Sequence, residues 1–413
     1  MVERLFIERL GHLGDGMAAA SAGGTVYVPG ALPGETVDVE NVAGHPDRRH
    51  LLHIASASPQ RIAPICPHFG VCGGCAVQHW ESDRYRAWKR NLVVEALRLV
   101  GLDPPIADLV DAHGGGRRRA VLHARRGTHD VLQVGFSAAR AHRVVAIDRC
   151  PLLAKSLDGA IEAAWEIADV LGPTAKPLDL QITATDGGVD IDIRGSGPLS
   201  AGLMSSLAQT ANKRDLARLT RHGELVALKR MPTLRMGRAN VRLPPAAFLQ
   251  ATAEGEAVLA RLVLGHCTRA AYAADLFAGV GPFALRLAER IRVHAVDDDE
   301  AALAALNRAA AATSALKPVT IERRDLFRRP LTAAELKQYE VVIFDPPRQG
   351  AEMQSRELVS SKVPLVVAVS CNPATFARDA RVMVRGGYRL ADVTPVDQFR
   401  YAAHVEIVAL FEK

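Results

Sequence analysis

Apolar and polar positions along the 413 residues fall into three regimes. Over residues 1–56 they alternate in short runs: Leu5-Phe6-Ile7-Glu8-Arg9-Leu10, Thr25-Val26-Tyr27-Val28-Pro29 and Glu35-Thr36-Val37-Asp38-Val39-Glu40, separated by turn signals such as Gly14-Asp15-Gly16 and Pro33-Gly34. A period of two is the strand period, so this stretch predicts a small β-barrel of OB-like size. Residues 57–245 are mixed. Trp80–Val100, Leu152–Leu171 and Ser200–Lys213 have helical character, whereas Val131–Phe136 and Val189–Arg194 read as strands. An α+β domain is expected there. From 246 to 413 apolar strand runs alternate with helical periods, the pattern of a doubly wound α/β sheet.

Four of those apolar runs end in residues that carry chemistry. Ala273-Ala274-Asp275-Leu276-Phe277-Ala278-Gly279-Val280-Gly281 passes from a strand through a Gly-x-Gly turn into the helical pattern Pro282–Arg290. Gly279 and Gly281 let backbone approach a ligand, and the following helix start favours its polar end. The next strand, Arg292–Val296, ends in Asp297, 22 residues beyond Asp275, where an acid can bond a ribose hydroxyl pair. The three-glycine dinucleotide pattern is missing, which favours a mononucleotide-like cofactor such as S-adenosylmethionine. A third run, Val341–Phe344, ends in Asp345-Pro346-Pro347-Arg348, an acid held by two prolines. The run Val363–Val369 ends in Ser370-Cys371-Asn372-Pro373-Ala374-Thr375. Asn-Pro stops the strand and sets a tight turn, placing the Cys371 thiol at the sheet's carboxyl end.

Composition narrows the setting. The length implies two or three domains, and 48% hydrophobic residues supply their cores. No apolar run reaches 18 residues and no amino-terminal signal pattern occurs, so a soluble, cytoplasmic protein is expected. The net charge of +6 is a modest bias toward a polyanion, and Gly114–Arg126 concentrates it in Arg117, Arg118, Arg119, Arg125 and Arg126 with no acid between them. Such a stripe is the footprint of nucleic-acid binding.

Cys66, Cys72 and Cys75 are spaced Cys-x5-Cys-x2-Cys among Pro67, Gly70, Gly73 and Gly74, which permit sharp turns. In a reducing compartment that spacing argues for metal, and Cys150 before Pro151 is the natural fourth ligand. Four thiolates suit either a [4Fe–4S] cluster or Zn²⁺ in a closed site.

Taken together these residues resemble the RNA uridine-5-methyltransferases, among them the bacterial 23S ribosomal RNA members with a TRAM barrel and a [4Fe–4S] cluster. Asp-Pro-Pro at a strand end is common among methyltransferases. The resemblance implies a TRAM barrel over 1–56, an iron–sulfur α+β domain over 57–245 and a Rossmann-like class I methyltransferase domain over 246–413. It assigns the cluster to Cys66, Cys72, Cys75 and Cys150, and cofactor contacts to Gln250, Phe277, Asp297, Asp325 and Asp345. Cys371 becomes the nucleophile and Glu406, in Asp397-Gln398-Phe399-Arg400-Tyr401-Ala402-Ala403-His404-Val405-Glu406, the proton acceptor. Pro282, Thr252, Arg400 and Ala402 depart from the family pattern.

The chemistry explains the residue types. A thiolate adding to uracil C6 makes C5 nucleophilic toward a sulfonium methyl; a base then removes the C5 proton and the thiolate leaves. The uridine must be unstacked, so a single-stranded or remodelled loop of ribosomal RNA is the expected partner of a monomeric enzyme. Three other readings compete. A transfer RNA enzyme is disfavoured by the barrel and cysteines. A catalytically silent RNA-binding or chaperone protein is disfavoured by intact Cys371, Glu406 and Asp345. A zinc-bound DNA cytosine methyltransferase would carry Pro-Cys in place of Ser-Cys-Asn-Pro.

Overall fold

The computed structural model describes residues 2–20, 23–127, 130–141, 143–172 and 177–413. Strand alternation near the amino terminus yields a six-stranded sheet in the order Val2–Phe6, Thr36–Val42, His45–Ser56, Thr25–Val28, Gly16–Ala19, Arg9–Leu10. Its inward positions, Leu5, Ile7, Val26, Val28, Val37 and Val39, form a core of their own.

A seven-stranded sheet follows, from Val144–Ala146 at one edge through Arg119–Arg126 to Glu224–Leu228 at the other. Helices Ala160–Leu171 and Ala201–Lys213 pack on it through Ile161, Ala164, Ile167 and Leu207. The first of these helices starts at Ala160 and not at Leu152 as expected. The amides of Leu153 and Ala154 bond the carbonyls of Cys150 and Arg117, which keeps the chain after Pro151 in a turn, and left-handed Gly159 (φ +81°) precedes the helix.

The third unit is an eight-stranded sheet in the order Val319–Arg323, Arg292–Asp297, Tyr272–Leu276, Val341–Phe344, Leu365–Ser370, Glu406–Glu412, Arg389–Asp397, Val110–Asp111. The first five strands are parallel, while Glu406–Glu412 inserts antiparallel between two others. The sheet is therefore mixed. The chain builds outward from Tyr272–Leu276, then returns to Val341–Phe344 on its other side, creating a topological switch point, the place at which open α/β sheets bind ligands outside the carboxyl ends of their strands.

One expectation is corrected here. Residues 57–245 do not pack as a single unit, because Val110–Asp111 is an edge strand of the eight-stranded sheet and helix Ser82–Leu99 buries Val93 and Leu97 in that sheet's core beside Leu109. Tyr85, Lys89, Val93 and Leu97 recur every four residues on one buried face of this helix.

Candidate active site

Cys371 follows Leu365–Ser370 directly, and the residues after it are fixed by their hydrogen-bonding chemistry. The Asn372 side chain accepts from the Ala374 amide at 3.1 Å and so caps helix Pro373–Arg385, while Pro373 takes the first turn, where an amide has no helical partner. Asn372 Nδ2 and Thr375 Oγ1 both donate to the Arg348 carbonyl at 3.0 Å. The thiol motif is thus stapled to the Asp-Pro-Pro-Arg loop at the end of the adjacent strand.

That staple brings Cys371 within electrostatic reach of Asp345, Arg348 and Glu406. Burial, then Glu406 and Asp345, push the thiol up to about 12, against the pull of Arg348. Burial also raises Asp345 to about 7 and, with the nearby Asp345 charge, Glu406 to about 8. Two carboxyls and a thiol therefore share one enclosure in which every negative charge opposes the next.

Two glutamines join the acids. Gln250 Nε2 donates to Asp345 Oδ2 at 3.1 Å, Gln398 Nε2 donates to Gln250 Oε1 at 2.6 Å, and the same nitrogen donates to Glu406 Oε1 at 2.9 Å. Glu406 Oε2, also buried, has no hydrogen-bond partner among the described residues.

A second polar cluster anchors the turn between Arg389–Asp397 and Glu406–Glu412. Asp397 meets Lys89 Nζ at 2.9 Å, His113 Nε2 at 3.0 Å and the Tyr85 hydroxyl at 2.5 Å. Burial would raise this acid, but His113, Lys89 and Tyr85 together hold it down at about 2. Lys89, fully buried, also donates to the carbonyls of Phe399, Ala402 and His404.

The expected cofactor residues sit on the far side of Asp345. Gly279 and Gly281 have φ of +53° and +89°, and a Cβ on Gly281 would lie 2.4 Å from Leu306 Cδ1, so glycine is required there. Asp297 Oδ2 accepts from the Gly279 amide at 2.8 Å, joining the second strand's acid to the glycine turn. Phe277 (φ +63°) packs its ring against Phe327 at 5.3 Å, beside Asp325, whose Oδ1 accepts from the amides of Phe327 and Arg328. A glycine turn, an acid-tipped strand and an aromatic pair fit a nucleoside-bearing cofactor. Thr252 serves the scaffold. Its hydroxyl caps helix Ala253–His266 through the Gly255 amide and donates to the Ala112 carbonyl, both at 2.7 Å.

Cys66, Cys72, Cys75 and Cys150 line one cavity of about 70 Å³ and are all free thiols. Burial raises Cys72, Cys75 (to about 11) and Cys150, while Arg117, also lining the cavity, pulls all three down. Among the described residues no group of three or more His, Cys, Asp or Glu is placed to hold a metal ion as the side chains stand. The donor set itself, four thiols around a common space with a cation beside them, fits a thiolate-bound centre.

The arginine stripe is corrected. Its first three members part company before the strand Arg119–Arg126 begins: Arg117 faces the cysteine cavity, Arg118 is buried against Glu256 and the Gln250 carbonyl, and Arg119 lies 4.4 Å over the Phe248 ring. They do not form a continuous solvent face. Their backbone is a bridge instead, since the Arg117 amide bonds Leu152 beside Cys150 and the Arg118 amide bonds Ala251 beside Gln250.

Sequence reading brought Cys371, Glu406, Asp345 and Gln250 to one place but missed Gln398, Lys89 and Asp397. A signal existed for Lys89, which occupies a position in the apolar stripe of its helix. None marked Gln398.

Comparison with known proteins supplies a context. A family model for tRNA (uracil-5-)-methyltransferases matches residues 266–413. A Brucella suis protein described as an uncharacterized RNA methyltransferase is 47% identical across 99% of this chain and 98% of its own. The Halomonas elongata 23S rRNA (uracil(1939)-C(5))-methyltransferase is 34% identical across 99% of this chain and 89% of its own. The solved Pyrococcus abyssi tRNA (uracil-54, C5)-methyltransferase, in complex with S-adenosyl-L-homocysteine, shares the fold with a TM-score of 0.75 over 99% of both chains at 23% identity.

Proposed function

The chain belongs to the S-adenosylmethionine-dependent RNA (uracil-5-)-methyltransferases, and from that membership we propose that it methylates C5 of a uridine in 23S ribosomal RNA through a covalent bond from Cys371 to C6. The observation that carries the chemistry is the convergence of Cys371 and Asp345, at the carboxyl ends of two parallel strands, with Glu406, at the amino end of the antiparallel strand beside them. Full-length similarity to a relative named for 23S ribosomal RNA carries the choice of substrate.

Cys371 forms the S–C6 bond, and the electron pair of C5=C6 moves to C5, which takes the methyl group from the sulfonium donor. Glu406 accepts the C5 proton through a carboxylate oxygen. The C5–H electrons re-form C5=C6, the C6–S bond breaks, and the thiolate is regenerated. S-adenosylmethionine supplies the methyl group, with Gly279, Gly281, Phe277, Asp297, Asp325, Gln250 and Asp345 holding it. Since burial and carboxylate repulsion disfavour the free thiolate, Cys371 is expected to ionise once the cationic donor is in place.

Cys66, Cys72, Cys75 and Cys150 would hold a [4Fe–4S] cluster, which gives anaerobically purified protein a brown colour and about four irons per chain. Colourless protein with a single zinc would reject the cluster. The amino-terminal sheet, in the role of a TRAM barrel, would contribute RNA affinity. Mapping 5-methyluridine in cells lacking the protein tests the substrate. Loss at one 23S position with intact transfer RNA supports this reading, and the reverse pattern overturns it.

A further inference from the structure

Gln398 stands between the two acids of the site, and all four of its side-chain hydrogen bonds go to residues outside the cysteine motif and the glycine turn. Its orientation is settled by chemistry. Gln398 Oε1 accepts from the backbone amides of Ala251 at 2.8 Å and Thr252 at 3.4 Å, and an amide N–H can only donate. The Gln398 NH2 group must therefore be the end facing Gln250 and Glu406, and its two hydrogens are used by those two acceptors. Gln250 is fixed in turn, since its oxygen faces Gln398 and its NH2 group faces Asp345. Gln398 is 1% exposed, and Gly255 leaves it room, because a Cβ there would lie 2.5 Å from Gln398 Oε1.

We propose that Gln398 is the positioning residue for the base, holding Glu406 by one oxygen in its proton-accepting form while locking the Gln250 amide toward Asp345. This rests on the assignment of Glu406 as proton acceptor. The groups facing Glu406 are Asp345 and Arg348 from the Asp-Pro-Pro-Arg loop, Cys371 from the neighbouring strand end, and Lys89 from helix Ser82–Leu99. Asp345 disfavours the carboxylate and the two cations favour it from a distance; among these groups and Gln398, only Gln398 makes a direct hydrogen bond to it. A donated bond to a buried carboxylate favours the charged form. Without it, Glu406 would keep its proton to higher pH and would be free to rotate away from C5.

The test is tritium release from a 23S transcript carrying [5-³H]uridine, measured against pH with the intact enzyme. Gln398→Met removes both donors at similar length; Gln398→Glu keeps the acceptor for Ala251 and Thr252 but replaces the NH2 group by oxygen. Gln398→Met should move the acid limb up by about one pH unit and accumulate a covalent RNA adduct near neutrality, with recovery toward about pH 9.5. Gln398→Glu should move the limb further. Equal loss at every pH, or an unmoved limb, would overturn the proposal. If Gln398→Met does not fold, the Gln398→Glu limb alone decides. Glu406→Gln separates the two claims: adduct with that variant but an unmoved limb in the Gln398 variants removes only this proposal, while no adduct with Glu406→Gln removes the base assignment itself.

Discussion

Asp397 and Glu406 leave the same end of one antiparallel strand pair, where Glu406 is in register with Val396, the neighbour of Asp397. Both are buried, at 1% and 3% exposure, yet one is held down at about 2 and the other rises to about 8. Burial acts on them in the same direction, so the difference comes from partners. Asp397 has an ammonium, an imidazole and a hydroxyl in contact, whereas Glu406 has one amide donor, a second acid nearby and a free oxygen. The fold puts contacting cations on the carboxylate that holds the turn and leaves only distant ones, Arg348 and Lys89, for the proposed proton acceptor.

The largest loss of activity is expected at the thiol that both Asp345 and Glu406 face. Cys371→Ala should reduce methylation by at least about a thousandfold while leaving S-adenosylhomocysteine affinity and the melting midpoint close to wild type. Residual turnover of several per cent would place the nucleophile elsewhere. On the anchor side the loss should be of stability. Lys89→Met takes the ammonium from a buried Asp397, leaving it His113 and Tyr85, and takes the donor from three carbonyls, and should cost about 3–5 kcal/mol in a denaturant melt; a cost below about 1 kcal/mol would mean that Lys89 is not what holds Asp397 ionised.

Glu406→Gln should invert that pattern. Replacing a poorly compensated buried acid by an amide should leave stability within about 1 kcal/mol of wild type or slightly raise it, while turnover stalls with covalent enzyme–RNA adduct visible on denaturing gels. Persistent turnover without adduct would show that another group takes the proton.

The smallest effect is in the pH dependence of stability. Asp397 has a depressed value, so its contribution of about 2–3 kcal/mol is complete above the unfolded value near 3.9 and is lost as pH falls through about 2. Glu406 and Asp345 act oppositely: the folded chain retains protons that the unfolded chain releases, so stability declines as pH rises from about 4 toward 8. Lys89→Met should flatten the acid side of the profile and Glu406→Gln the alkaline side. If each variant flattened both sides equally, the two acids would not be independent.

What could be read from the chain was local. Cys371 with Asn372 and Pro373, Asp345 with its prolines, and the Gly279–Gly281 turn each lie within a few residues of a strand end, so pattern and position coincide. The four cysteines were legible because loop residues that turn sharply surround three of them. The arginine stripe misled because the backbone before the strand Arg119–Arg126 is held by two different segments, at Leu152 and at Ala251, which divides Arg117, Arg118 and Arg119 among three environments. The packing of Ser82–Leu99 on the last sheet and the membership of Val110–Asp111 in it depend on partners about 300 residues away, and no local pattern encodes them. Gln398 is invisible for the same reason: its meaning lies in Gln250, 148 positions upstream.

Synthesis proceeds from the amino terminus, so Lys89 emerges long before the groups that neutralise it: Asp397 and the carbonyl of Ala402, the latter 313 residues later. Until then its helix carries a cation in the middle of an apolar stripe, which favours water over any premature partner. Closure of so long a loop adds only logarithmically to the entropy cost, but in time it makes the edge strand and its helix wait for the final strands of the chain. The lysine thus delays the docking of the early segment until the strands that end in Asp397 and begin at Glu406 have arrived, and a ribosome stalled short of residue 397 would hold a chain in which this helix has nowhere to bury its charge.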